Sequence, residues 1–264
     1  MTNSEIMQIA LQQSAYDCNC VAEDFLKASP VLTISHCDER ARKYLKLPFS
    51  CQMVSYGNNV VASVQESIAP IAKRYLESYP VEHCFETPHL HILDDSLRER
   101  GLRICFMAEY FLPDVTKLAS LPCNYELKLL TPDDFADLYL PQWSNALCEQ
   151  RKELDKLAIG AYDGEALIGL AGASADCEMM YQIGVDVLPA YRRRGIASAL
   201  TCRLALEILK LGKVPFYCAA WCNIKSVRNA IKSGFYPAWV EMTAKEISFV
   251  EQMNQPNTAY KSTD

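Results

Sequence analysis

Apolar and other positions alternate over Ile183–Leu188, with Val185 and Val187 to one side and Gly184 and Asp186 to the other, which predicts a sheet strand. Pro189 has no N–H to give a ladder and ends it. The period then changes. Ile196, Leu200, Leu204 and Ile208 recur every fourth position while Arg203, Glu207 and Lys210 take another face, the pattern of an amphipathic helix that Gly212 stops.

The rest of the C-terminal half extends this order. Tyr125–Leu130 reads as a strand, and Thr131-Pro132-Asp133-Asp134 as the capped start of a helix packing through Phe135, Leu138 and Tyr139. Leu157–Tyr162 and Glu165–Ala173 flank Asp163-Gly164, a hairpin turn signal. Val214–Trp221 is the next strand. Asn223 caps a helix whose Val227, Ala230 and Ile231 share a face and which Gly234 ends; Phe235–Ala244 is the last strand.

The first half is less regular. Ile6, Ile9, Ala10, Ala22, Phe25 and Leu26 predict helix over residues 1–29 with a break at Asp17–Cys20. Asn58–Val64 and Leu102–Phe111 read as strands, Ser67–Ser78 and Asp94–Arg100 as helices. Turn formers cluster at Pro113-Asp114 and Leu121-Pro122-Cys123-Asn124. The expected division is an α/β domain over 1–123, a second domain over 124–252 with a mixed central sheet, and a polar tail over 253–264. The fold class is α/β (α+β).

Composition narrows the chemistry. With 264 residues, half of them apolar, the chain buries a core of one large or two ordinary domains. A formal charge of −6 disfavours nucleic acid or an anionic membrane as partner, and points any local basic turn toward a small anion. Twelve cysteines without a signal-like N-terminus read as reduced thiols of a cytoplasmic protein. His83-Cys84 and His89-x-His91 are the one metal-like cluster, with His89 and His91 placed to share a strand face. The set lacks metal-site spacing, so no metal is assigned.

The basic turn stands directly before the amphipathic helix. There the first amides lack internal partners and the macrodipole favours an anion. Gly195 and Ala197 let a diphosphate approach those amides, and Arg192, Arg193 and Arg194 supply charge. A solvated basic turn before an ordinary helix would show the same residues.

Arg192-Arg193-Arg194-Gly195-Ile196-Ala197 fits R/Q-x-x-G-x-G/A. With the preceding Val185-Asp186-Val187-Leu188-Pro189 it resembles the acyl-CoA-binding motif of the GCN5-related N-acetyltransferases (GNAT). Asn223, Ser226 and Lys232-Ser233-Gly234-Phe235 resemble that family's N-x-x-A/S...K-x-G-F segment, at the expected distance downstream. The likeness covers about half the chain. It implies a GNAT acyl-CoA-binding fold for the C-terminal half, and it permits a degenerate copy of the same fold in the first.

The resemblance further implies transfer of an acetyl group from acetyl-CoA to an amine by direct attack in a ternary complex. Amides from Arg193 to Ser198, Ile196 included, would hold the pyrophosphate, and backbone around Val185 and Val187 the pantetheine arm. Asn223 would cap its helix and meet the cofactor arm, with Ser226 beside it. A small-molecule amine is the expected acceptor. Glu178 and Asp186 are the carboxylates near the central strand from which a general base is sought. Each has an ordinary alternative, Glu178 as a solvated charge and Asp186 as a turn partner. One position departs from the family: Ala230 stands where many members carry the tyrosine that protonates the departing thiolate. That departure leaves open a catalytically weak acyl-CoA-binding regulatory or sensor protein.

Overall fold

The structure, a computed structural model, describes residues 1–255. The chain forms two compact units. One takes Met1–Gln13, Arg42–Tyr44 and Ala108–Ala238; the other takes Ser14–Ala41, Leu45–Met107 and the chain from Trp239 onward. The expected cut between residues 123 and 124 falls inside the first of these.

Helix α1 (Asn3–Cys18) ends where Asn19 turns to φ +54°, inside the break expected there. Strand β1 (Val31–Ile34) is parallel to β3 (Val61–Val64), and β2 (Cys51–Ser55) is antiparallel to β3. The sequence reading missed β1 and β2. All five positions of β2 are buried, so it shows no alternation to read.

Helices α2 (Ala69–Ser78) and α3 (Thr87–Arg98) each carry proline in the first turn, Pro70 and Pro88. Helix α3 therefore begins before His89, and the strand face expected to hold His89 and His91 does not exist. Two residues apart on a helix, they diverge; His89 instead stacks on His83 with ring centroids 5.3 Å apart. Met53, Val60, Val64, Ile68, Leu93 and Leu97 are in the core of this unit.

Strand β4 (Leu102–Pro113) carries the chain on into the other unit. There follow β5 (Glu126–Leu130), β6 (Asp155–Asp163), β7 (Ala166–Ser174), β8 (Met180–Val187), α4 (Ile196–Lys210), β9 (Val214–Ala220) and α5 (Ile224–Lys232). Strand β10 (Phe235–Glu246) and α6 (Ile247–Asn254) end the described chain. Met253 and Asn254, expected in the tail, are helical; residues 256–264 of that tail lie outside the described residues.

Within this unit the sheet order is β5-β6-β7-β8-β9-β4, with β8 and β9 parallel and the other pairs antiparallel. The β6–β7 hairpin turns at Gly164, φ +62°, as its Asp-Gly signal predicts. Helices α4 and α5 pack Ile196, Leu200, Leu204, Ile208 and Ala230 against Ile159, Ile168, Ile183, Tyr217 and Phe235.

The helix expected after Thr131 is a run of turns instead. Only the return half of a capping box forms: Asp134 Oδ2 accepts from Thr131 N at 2.8 Å and from Thr131 Oγ1 at 2.7 Å. Pro141 keeps Leu140 extended, though, and the segment left is too short to repay helix nucleation. Phe135 is buried all the same.

A close crossing lies beside this segment. Gly172 and Gly184 face each other across the β7–β8 ladder, and the backbone of Asn145 and Ala146 runs directly over both. A Cβ at Gly172 would collide with the Ala146 carbonyl, and one at Gly184 with the Asn145 carbonyl.

Candidate functional site

The β8–β9 ladder runs Met180↔Val214, Tyr181↔Pro215, Gln182↔Phe216 and ends there, although both strands continue. The two strands therefore part at Gln182 and Phe216. Which β8 groups face the gap follows from parity. Leu188 N donates to Ile168 O of β7, and Met179 O accepts from Val214 N of β9. Even positions thus direct N–H and C=O to β7; on the β9 side the last pair takes Ile183 N, and beyond it lie Ile183 O, both backbone groups of Val185 and Val187 N. An extended chain lying in the gap would find hydrogen-bonding backbone along one wall. The sequence-predicted Val185 and Val187 are on that wall, with side chains packed toward α4.

The gap leads to the turn before α4. Pro189–Tyr191 form a single 3-10 turn, Arg193 has φ +63°, and Gly195 has φ +82°, ψ 0° as the residue preceding α4. Glycine adopts this left-handed geometry without a Cβ penalty. Gly195 O accepts from Ala199 N, and no side chain caps the helix. The amides of Ile196, Ala197 and Ser198 open the first turn, where helical partners are missing. A Cβ at Gly195 would have only Lys232 Nζ within 4 Å, at 3.9 Å. The residues present fit an anionic group: open amides, no side chain over them and a lysine alongside.

The three arginines divide. Arg192 Nε donates to Val187 O at 3.1 Å, fixing the turn to the end of β8. Arg194 donates to Tyr125 Oη at 2.6 Å and Ala190 O at 3.1 Å, and lies over the Tyr191 ring. Arg193 is exposed and shows no side-chain hydrogen bond among the described residues. Ile196 and Ser198 are buried, and Ser198 Oγ donates to Asn229 Oδ1 at 3.1 Å, so these two offer the turn their amides alone.

Asn223 Oδ1 accepts from Ser226 N at 3.2 Å, the cap expected of it. The Ser226 hydroxyl meets Tyr217 Oη at 2.7 Å. Ala230, at the position the resemblance reserves for tyrosine, is fully buried in the same cluster as Tyr217 and Phe235.

The two carboxylates stand apart. Asp186 accepts from Asn145 N at 2.8 Å, Asn145 Nδ2 at 2.7 Å and Ala146 N at 3.0 Å, clamping the segment that crosses Gly184. Glu178 is exposed in the turn before β8.

Sequence reasoning did not single out Lys232, Tyr217 or Asp155. The first was visible only as part of K-x-G-F, and its approach to Gly195 depends on how α5 packs beside α4. Asp155 opens β6, 3% exposed, and burial pushes its carboxyl up to about 6 despite donors from Cys148 N and Tyr139 Oη.

A family model described as GNAT acetyltransferase matches residues 103–239, just over half of the chain. None of the curated proteins compared matches it. Among solved structures, a GCN5-related N-acetyltransferase-like protein from Streptococcus suis is 21% identical, the match covering 60% of this chain and 69% of that one at a TM-score of 0.45. A GCN5-related N-acetyltransferase from Kribbella flavida is 14% identical over 61% of this chain and 64% of its own, also at 0.45. An acetyltransferase from the GNAT family from Colwellia psychrerythraea is 15% identical, covering 70% and 76%, at 0.43. This chain spans about two thirds of the length of the first two.

Proposed function

We propose that this chain, which belongs to the GNAT acetyltransferase family, transfers an acetyl group from acetyl-CoA to the primary amine of a small molecule by direct attack in a ternary complex. The observation that carries the reading is the parting of β8 from β9, whose open wall at Ile183, Val185 and Val187 runs straight to the uncapped start of α4. A long ligand with a thioester at one end and a diphosphate further along has its two requirements met in that order.

In this reading the amides of Arg193 to Ser198 hold the pyrophosphate, with Arg193 and Lys232 adding charge; Arg192 and Arg194 shape the turn. The odd-numbered backbone groups of β8 align the pantetheine arm and polarise the thioester carbonyl. Asn223 and Ser226 border the arm from the start of α5. Placing the amine against the carbonyl converts a two-body encounter into a positioned attack. Glu178 and Asp186 are the carboxylates that take the amine's proton through water, and Asp186 does so only by giving up one of its three hydrogen bonds. No cysteine is assigned as nucleophile. We assign the acyltransferase to residues 124–252 and a cytoplasmic setting to the whole; among the described residues no helix is long and apolar enough to cross a membrane.

Thermal unfolding with and without acetyl-CoA tests the binding part, since a ligand of the folded state raises its melting temperature. No shift at millimolar ligand counts against it. Ala230 favours a second reading, an acyl-CoA sensor with weak turnover. Release of CoA with any member of a primary-amine panel decides for the enzyme; binding without release decides for the sensor.

A further inference from the structure

Tyr217 is a buried titratable side chain that the mechanism above does not use. It follows Phe216, the last β9 partner of β8, so it sits at the point where the two strands separate. The residue is 5% exposed, in the cluster that holds Phe111, Ala230 and Phe235 and borders Val185 and Val187. Its hydroxyl meets Ser226 Oγ at 2.7 Å, and Ser226 is half-buried in the first turn of α5. Burial raises the phenol's pKa, while Ser226 and the neighbouring Asn229 side chain pull it back. A phenol in this setting keeps its proton throughout the neutral range.

A tie between β9 and α5 would need only the hydroxyl pair. Three further facts give the pair a chemical use: it stands where β8 and β9 part, its ring is in the apolar cluster against which Val185 and Val187 of β8 pack, and its serine partner is half-buried rather than sealed. Ala230, fully buried beside the ring, leaves the ring its space.

We propose that Tyr217 donates the proton taken up by the departing CoA sulfur, a role that rests on the acetyl-transfer reading of the same gap. The amine nitrogen forms the new C–N bond, the thioester C–S bond breaks, and its electron pair goes to sulfur. The Oη proton of Tyr217 passes to that sulfur. The phenolate regains a proton from the Ser226 hydroxyl, which solvent replenishes, and the amine's surplus proton leaves through water by way of the carboxylates proposed above. Nothing is consumed beyond acetyl-CoA and amine, and a positioned acid of this kind supplies about 10²- to 10⁴-fold in rate.

The test needs no acceptor. CoA bound to the full-length protein is titrated against pH by its thiolate absorbance in the wild type and in Tyr217→Phe. A phenol donating to sulfur stabilises the thiolate, so its fraction near neutral pH is expected to fall about tenfold in the variant, one pKa unit. Affinity for CoA below the thiol's pKa should change less than about threefold, a small fraction of the binding free energy. Equal thiolate fractions in the two proteins overturn the role of Tyr217 and leave the CoA site standing. Failure of the wild type to bind CoA overturns the acetyl-CoA reading itself. Should Tyr217→Phe not fold, a ring-fluorinated tyrosine at 217 keeps the shape and strengthens the acid. It is expected to raise the thiolate fraction further, and no change overturns the proposal.

Discussion

Helices α4 and α5 follow strands of the same sheet, β8 and β9, and solve the problem of their first amides in opposite ways. At α5 the chain serves itself: Asn223 Oδ1 takes the Ser226 amide. At α4 the residue in that position is Gly195, with no side chain to give, and a lysine from α5 stands 3.9 Å from where a Cβ would be. Three other helices also start without a side-chain cap, but α2 and α3 place proline in the first turn, which removes one donor from the account, and Ile247 N at the start of α6 donates to Gly101 O at 3.0 Å. Helix α4 has none of these remedies. A helix start left uncapped, uncovered and flanked by cations is the feature on which the proposed diphosphate site rests.

The sharpest way to break this contrast is Gly195→Val. A branched side chain over the amides should weaken acetyl-CoA binding by about 10²-fold or more, about the loss of two charge-assisted hydrogen bonds. Calorimetric titration measures it, and unchanged affinity would make the turn merely structural. The strained φ should also cost about 1–2 kcal/mol of stability, read from the ligand-free unfolding curve.

A control away from both helix starts is Asp155→Asn. With its folded pKa raised to about 6, the wild-type carboxyl holds its proton more tightly folded than unfolded. Its contribution is present in full below the unfolded pKa of about 4 and is lost as pH rises through about 6, on the order of 2 kcal/mol. Asparagine escapes that loss. The variant should gain on the wild type between those pH values in denaturant titrations, with acetyl-CoA affinity unmoved.

Arg193→Ala and Lys232→Ala should each weaken acetyl-CoA by about 3- to 10-fold, the scale of one exposed charge, and reduce the salt dependence of binding. Arg192→Ala tests the other side of the contrast, since it should loosen the turn rather than remove a ligand contact. Asn223→Ala should cost about 1 kcal/mol of stability through the lost cap. If affinity falls by much more than that loss explains, Asn223 meets the cofactor as well. The smallest effects belong to Tyr181→Phe and Tyr191→Phe. The Tyr191 hydroxyl is bonded to Asp163, and either change should lower turnover by less than about 10-fold, below what removing a general acid costs.

What was legible in the sequence was local. Pro189, Gly195 and Gly212 punctuate a strand and a helix, and the structure places β8 and α4 within a few residues of those marks. The turn's glycine and arginines could be read because they are contiguous. The division of labour among the arginines could not, because it depends on Tyr125, 69 residues away, and on the end of β8. Tyr217 gave no signal because the parting of two strands is a property of the sheet. The failed helix after Thr131 shows the limit from the other side: Thr131 and Asp134 do bond to each other, but that local bond does not make a helix of a segment that Pro141 cuts short.

The crossing of Asn145 and Ala146 over the paired glycines makes assembly conditional. If β7 and β8 met one residue out of step, a neighbour such as Ala173 or Ile183 would lie where a glycine is needed, and the crossing segment would find no seat. Docking of residues 145–146, clamped by Asp186, thus inspects the alignment of the two strands and rewards only the correct one. A ladder out of step forgoes that docking altogether, so the native register is favoured over its neighbours by the whole of the crossing segment's contacts.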